Sequence, residues 1–205
     1  MVSDGTNRSV RRLLRCDGNL RASLMKRRQR SEDDAAFEAL VREMSAPMIR
    51  TATFLTRDAT EAKDLTQEAL LRTYAHWSRA QVNPKAYVWT VLVNLCRDQH
   101  RRELRRPNIS RVESEALTVS TRLTMTERID ERLELERALQ TLPQQQREVI
   151  GLRYLVGLSV VEVAEVLLIP EGTVKSNASR AISALRNSLE ELVKEKDNNV
   201  DRYTN

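Results

Sequence analysis

Aromatic residues make up only 4% of this 205-residue chain, and glycine and proline number five each. A β-sandwich or barrel needs many tight turns, so this scarcity argues against both. Cysteine is nearly absent. Cys16 and Cys96 stand far apart without paired His or Cys neighbours, so neither a disulfide framework nor a metal site is expected. No apolar run approaches the roughly 18 residues of a membrane span. No apolar core of about 7–15 residues follows the N-terminal charges. No membrane insertion and no secretory leader are expected, and a reducing, cytoplasmic address is the simplest reading. What is plentiful is Leu, Arg, Glu and Ala, which favour helix. Hydrophobic residues at 40% and charged residues at 31% suffice for small cores rather than one large one.

The charge is uneven. Residues 1–33 hold nine Lys and Arg against four acids, which is the whole net charge of +5. The remaining residues carry 25 of each sign. This segment has few large apolar residues and no sustained period, so a basic, mostly disordered arm is expected over 1–33. It reads either as a polyphosphate-seeking tail or, more simply, as an unstructured extension. In the body, any polyanion contact must come from local clusters.

Periodicity places helices along the rest. Phe37, Leu40, Val41, Met44 and Met48 form one apolar stripe, broken at Thr56-Arg57-Asp58. A second helix is predicted from about Ala59 to Trp77, with Ala62, Leu65, Ala69, Thr73 and Trp77 inward. Asn83-Pro84 reads as N-cap and first helical residue of a third, which runs to about Leu104. Residues 107–126 are polar, Ser/Thr-rich and aperiodic, a flexible linker. It separates two small all-α domains, 34–106 and 127–195, with a disordered tail over 196–205. In the second domain a helix through Leu133, Leu135, Ala138, Leu139 and Leu142 ends at Pro143. Another spans about Gln144–Leu155 with Gly157 as its stop. Ser159 and Glu162 form a capping box for a short helix over about Val160–Leu167. Pro170-Glu171-Gly172-Thr173 starts the last, which runs to about Leu192.

Those last two helices have the spacing of a helix-turn-helix. Val174, Ala178, Ala181, Ile182 and Leu185 are expected to face inward. Thr173 lies at the start of the helix, and Lys175, Ser176, Ser179 and Arg180 point outward, short polar groups and cations suited to phosphates and base edges. A packed helical hairpin with a solvated outer face has the same pattern. Leu168 occupies the turn, where backbone with φ > 0 makes glycine the easy solution, so a slightly reshaped turn is expected.

The third helix also has two faces. Val88, Leu92, Leu95 and Gln99 cluster on one side; Tyr87, Thr90, Asn94, Arg97 and Arg101 lie on the other. An aromatic among cations and an amide suits an unstacked base and its phosphates. The preceding loop adds Arg79, Gln81, Asn83 and Lys85. An ordinary solvated face reads the same way. No nucleotide loop or nucleophile constellation is present, and Asp98 and His100, two residues apart, point to different helix faces. No catalysis, metal or cofactor is expected.

Several runs resemble one family. Asp64-Leu65-Thr66-Gln67-Glu68, Tyr74, Trp77, Asn83-Pro84-Lys85-Ala86-Tyr87 and Val91-Leu92-Val93-Asn94 resemble the second conserved domain of bacterial sigma factors. Leu142-Pro143, Arg147-Glu148-Val149-Ile150, Arg153-Tyr154, Gly157-Leu158-Ser159, Glu162-Val163-Ala164 and Ile169-Pro170-Glu171-Gly172-Thr173-Val174-Lys175-Ser176 resemble the fourth. Two domains with only a short linker between them are similar to the extracytoplasmic-function class. The resemblance implies a non-catalytic subunit that binds core RNA polymerase and directs promoter-specific initiation, held in check by an anti-sigma factor. It implies polymerase contacts at Asp64, Gln67, Glu68, Leu71 and Arg72. It implies −10 promoter DNA contacts in the Arg79–Lys85 loop and at Asn94, where a base is flipped out, with Tyr87, Arg97 and Arg101 supporting the melted strand. Thr173, Lys175, Ser176, Ser179 and Arg180 are implied as −35 readers, and the 107–126 linker is implied to thread the RNA exit path. Asn177 stands where the family has an arginine, which implies one phosphate cation fewer. Beside this reading stand a free-standing helix-turn-helix regulator, which would not bind core polymerase, and a non-DNA interaction protein of two helical bundles.

Overall fold

The computed structural model describes residues 5–105, 135, 138–139 and 141–203. All regular structure among them is helical. The chain forms two compact units, Met1–Glu43 and Met44–Asn205. The 107–126 linker lies outside the described residues.

Helix α1 spans Gly5–Thr56 and contributes to both units. Helix α1 thus takes in the basic N-terminal segment from Gly5 onwards. No proline precedes Pro47, and Arg, Leu and Ala keep helix propensity high without an apolar stripe. Pairs one turn apart add to it: Arg28 Nε donates to Glu32 at 2.9 Å and Gln29 to Asp33 at 3.1 Å. At the other end the last helix continues to Tyr203.

In the second unit, α1 ends where Arg57 takes φ 65°. Asp58 then caps α2 (Ala59–Ala75), its carboxylate accepting from the amides of Thr60 at 2.8 Å and Glu61 at 3.0 Å. A single turn, α3 (Trp77–Ala80), precedes α4 (Pro84–Arg105). Asn83 caps α4 as expected, its Oδ1 accepting from the Ala86 amide at 3.2 Å. α2 packs along α4, burying Ala62, Thr66, Ala69 and Thr73 on one side and Val88, Leu92 and Leu95 on the other. The buried threonines are tolerated because their hydroxyls bond carbonyls of their own helix: Thr66 to Ala62 and Thr73 to Ala69, each at 2.7 Å.

α5 (Gln144–Ile150) is shorter than the predicted Gln144–Leu155 helix, because Gly151–Leu155 winds on as a π-helical turn. The Val156 amide reaches back to the Gly151 carbonyl at 3.2 Å. Gly157, at φ 85°, stops it as predicted. α6 (Val160–Leu167) opens on the predicted capping box: the Glu162 amide donates to Ser159 Oγ, and the Ser159 amide to Glu162 Oε2 at 2.7 Å. Hydrogen bonding from the Ser159 side chain, and then from its backbone amide, holds the Glu162 carboxyl below the usual range. α7 (Glu171–Tyr203) follows.

The two small helical domains stand as expected, and α6 of the second packs against both α4 and α7 within the Met44–Asn205 unit. The cause is visible on α4. Trp89, Val93 and Cys96 are buried besides the predicted Val88, Leu92 and Leu95, so its apolar arc is wide enough for two neighbours. A second cluster joins Leu142, Ile150 and Ala181 to Phe54, Leu139, Ala184 and Leu185.

Leu168 adopts φ 56°, ψ 45°, the left-handed conformation that a glycine would take. The turn is thus not reshaped; leucine accepts the strain, with its side chain 79% exposed. The amides of Leu168 and Ile169 both bond the Ala164 carbonyl, the latter at 3.1 Å. We expect Leu168→Gly to stabilise the protein by about 0.5–1 kcal/mol, because relief of left-handed strain exceeds the added unfolded-state entropy. A rise in the urea midpoint with unchanged slope is the confirming result.

Candidate nucleic-acid interface

Helical spacing gathers Asp64, Gln67, Glu68, Leu71 and Arg72 on one side of α2. Asp64, Gln67, Leu71 and Arg72 are exposed, and Glu68 is half-buried. Arg72 Nε donates to Glu68 at 2.6 Å, an i,i+4 pair at the surface. Leu71 is 64% exposed at the centre of this group. A bare leucine ringed by charges is the composition of a surface that a partner covers.

The loop before α4 is likewise open. Arg79, Gln81, Asn83 and Lys85 are exposed, and Val82 among them is bare. Asn83 has a structural duty, since its oxygen caps α4. On α4, Asn94 and Arg101 are exposed and Tyr87 is half-buried. Arg101 Nη1 donates to Asp98 at 3.3 Å.

Arg97 departs from expectation. Its Nε donates to Glu148 Oε1 at 2.9 Å and its Nη2 to Oε2 at 2.6 Å, a two-pronged contact with α5. Its Nη1 also lies 3.4 Å from Asn94 Oδ1. The hydrogen bond with Glu148 holds Arg97 yet more firmly protonated, against the opposing effect of burial. In this conformation Arg97 is not available to a strand. Periodicity could not have found Glu148, because its partner lies on another helix of distant sequence.

The helix-turn-helix presents Lys175, Ser179 and Arg180 to solvent. Thr173 and Ser176 are half-buried, and the Ser176 hydroxyl donates to the Thr173 carbonyl at 3.1 Å. One inward assignment is corrected, and one position not expected to face inward does so. Ile182 is exposed, and the buried stripe runs through Val174, Asn177 and Ala181, with Ala184 and Leu185 beside it. Asn177 is only 6% exposed, with Nδ2 donating to the Thr173 carbonyl at 2.9 Å. The position thus faces inward and offers no place for an outward cation here. Arg153 and Tyr154, named in the sequence reading only within the fourth-domain resemblance, and Arg186, not named there, line a groove with Lys175 and Ser179.

Among the described residues no group of side chains is arranged to hold a metal ion. No described helix is long and apolar enough to cross a membrane. Cys96 is a buried free thiol, pushed up to about 12 by burial and then by Glu148 and Glu61. Glu61 on α2 is raised to about 7 by burial, then by Glu103 of α4 and Asp58.

A carboxyl whose folded pKa lies above its unfolded value binds its proton more tightly when folded. This stabilisation is complete below the unfolded value of 4.5 and is lost as pH rises through about 7. We expect Glu61→Gln to match wild type at about pH 4 and to exceed it by about 1 kcal/mol at about pH 8, after discounting for solvent screening. Urea unfolding at the two pH values measures the difference.

Residues 40–106 match the family model for Sigma-70 region 2, and residues 132–185 that for Sigma-70, region 4. The chain is 37% identical over 163 residues to the ECF RNA polymerase sigma factor SigL of Mycobacterium tuberculosis, covering 77% of this chain and 91% of that protein. It is 34% identical over 155 residues to the RNA polymerase sigma-E factor of Streptomyces coelicolor, covering 75% and 85%. A solved structure of the sigma factor RpoE with the anti-sigma factor NepR from Bartonella quintana matches with a TM-score of 0.62 and 25% identity, over 76% of this chain and 97% of that one.

Proposed function

This chain belongs to the extracytoplasmic-function class of sigma-70 RNA polymerase sigma factors, and from that premise we propose how its residues divide the work of promoter-specific initiation. The class is a non-catalytic specificity subunit, so the residues bind and position rather than react. The observation that carries the assignment is the helix-turn-helix, whose second helix buries Val174 and Ala181 while Lys175, Ser179 and Arg180 face outward.

Lys175 and Arg180 contact −35 phosphates or base edges, with Ser179 between them and Thr173 and Ser176 ordering the first turn. Amides at the start of α7 add partial positive charge. The exposed face of α2, with Leu71 at its centre and Asp64, Gln67, Glu68 and Arg72 around it, docks on core RNA polymerase. Arg79 of α3, Gln81 and Asn83 of the connecting loop and Lys85 of α4, with Asn94, receive a flipped base of the −10 element, which costs a few kcal/mol to extrude. Tyr87, Arg97 and Arg101 line the path of the melted strand. The protein acts in the cytoplasm, and an anti-sigma factor is its regulating partner, a reading supported by the likeness to a sigma factor solved with one.

We expect Asn94→Ala to lower open-complex formation about tenfold while core polymerase binding stays at the wild-type level. Permanganate footprinting of the −10 region together with a core pull-down separates the two effects. The pair Lys175→Ala and Arg180→Ala should weaken −35 binding and reduce the slope of log affinity against log salt by about 2. Binding titrations over a salt series on a −35 duplex read that slope, and an unchanged slope contradicts the docking.

A further inference from the structure

We propose that Glu148 is an intramolecular competitor of DNA phosphate for Arg97, so that the contact of α5 and α6 with α4 holds the free protein in a closed, DNA-blocked state. The proposal rests on the reading above, that this side of α4 receives the melted strand.

A carboxylate and a phosphate offer a guanidinium the same pair of acceptor oxygens. Glu148 takes up Arg97 at 2.9 and 2.6 Å, and it is only 2% exposed. A carboxylate so deeply buried is costly without a cation, so the pair is either whole or the helices part and water reaches Glu148. Two further contacts join the same regions of the chain, one on α4 and one on α1. The single Thr90 hydroxyl proton is shared between the Val166 carbonyl in the last turn of α6, at 3.2 Å, and the Ala86 carbonyl of its own helix, at 3.0 Å. Gly151 lets the π-helical turn come against Phe54, where a Cβ would stand 3.2 Å from two ring carbons. Thr90 and Arg97 lie on the same side of α4 as Asn94, so α6 covers part of the surface a strand would need.

Arg97 cannot serve both partners. Strand binding therefore selects the open form, and its apparent affinity is reduced by the fraction of molecules that are closed. Salt biases the choice. A pair this buried is screened little, whereas phosphate contacts weaken steeply as salt rises.

The test uses the full chain, small-angle scattering for its dimensions, and fluorescence anisotropy with a labelled single-stranded oligodeoxynucleotide of mixed sequence. Glu148→Gln keeps the shape and removes the charge. We expect it to enlarge the radius of gyration and to tighten oligonucleotide binding about tenfold. Thr90→Ala, which alters no charge, should shift both readings in the same direction and carries the test should Glu148→Gln fold poorly. Adding Arg97→Gln to Glu148→Gln should keep the larger dimensions and lose the gain in binding. Unchanged dimensions in both single variants overturn the closed state, and larger dimensions with unchanged binding overturn the competition. A gain in binding that survives Arg97→Gln overturns the competition together with the strand-binding role of Arg97, whereas a gain that requires Arg97 without any change in dimensions sinks the closed state alone.

Discussion

Arg97 and Glu148 stand 51 positions apart in the chain, and their paired contact fixes how its two conserved regions meet. Glu148 sits between the apolar Val149 and Ile150 and the neighbouring α4, where an unpaired carboxylate would be costly. Satisfying it brings α5 to α4. That placement sets α6 over Thr90 and leaves α7 with its basic residues outward. The hydrophobic contribution is shared by Phe54, Ile150 and Ala181, which would pack in many registers; the directional ion pair selects one.

The helices themselves were legible because their punctuation is local. Asp58, Asn83 and Ser159 each cap the helix that follows, and Arg57 and Gly157 take positive φ where the pattern breaks. Leu168 also takes the left-handed backbone that its place in the turn demands. Local signals were silent at two points. The N-terminal segment lacks an apolar stripe, which predicts poor packing but does not forbid a helix of Arg, Leu and Ala. The π-helical turn at Gly151 packs against Phe54, a residue far off in sequence.

The site was legible to the extent that it is made of exposed side chains on regular helices. The sides of α2 and α7 carry their predicted polar residues outward, apart from half-buried Glu68, Thr173 and Ser176. The α4 face was only partly legible. Its wheel places Arg97 beside Asn94, but no wheel reveals that a carboxylate from another helix will claim one and leave the other exposed. Asn177 shows the opposite error. It was judged by the charge it lacks, while its structural role is to bond the Thr173 carbonyl inside the fold.

Burial of Cys96 between acidic neighbours has its own outcome. A thiol raised to about 12 holds almost no thiolate at neutral pH, and peroxides and disulfides react with the thiolate. Oxidative stress therefore finds no trigger at this position while the fold is intact.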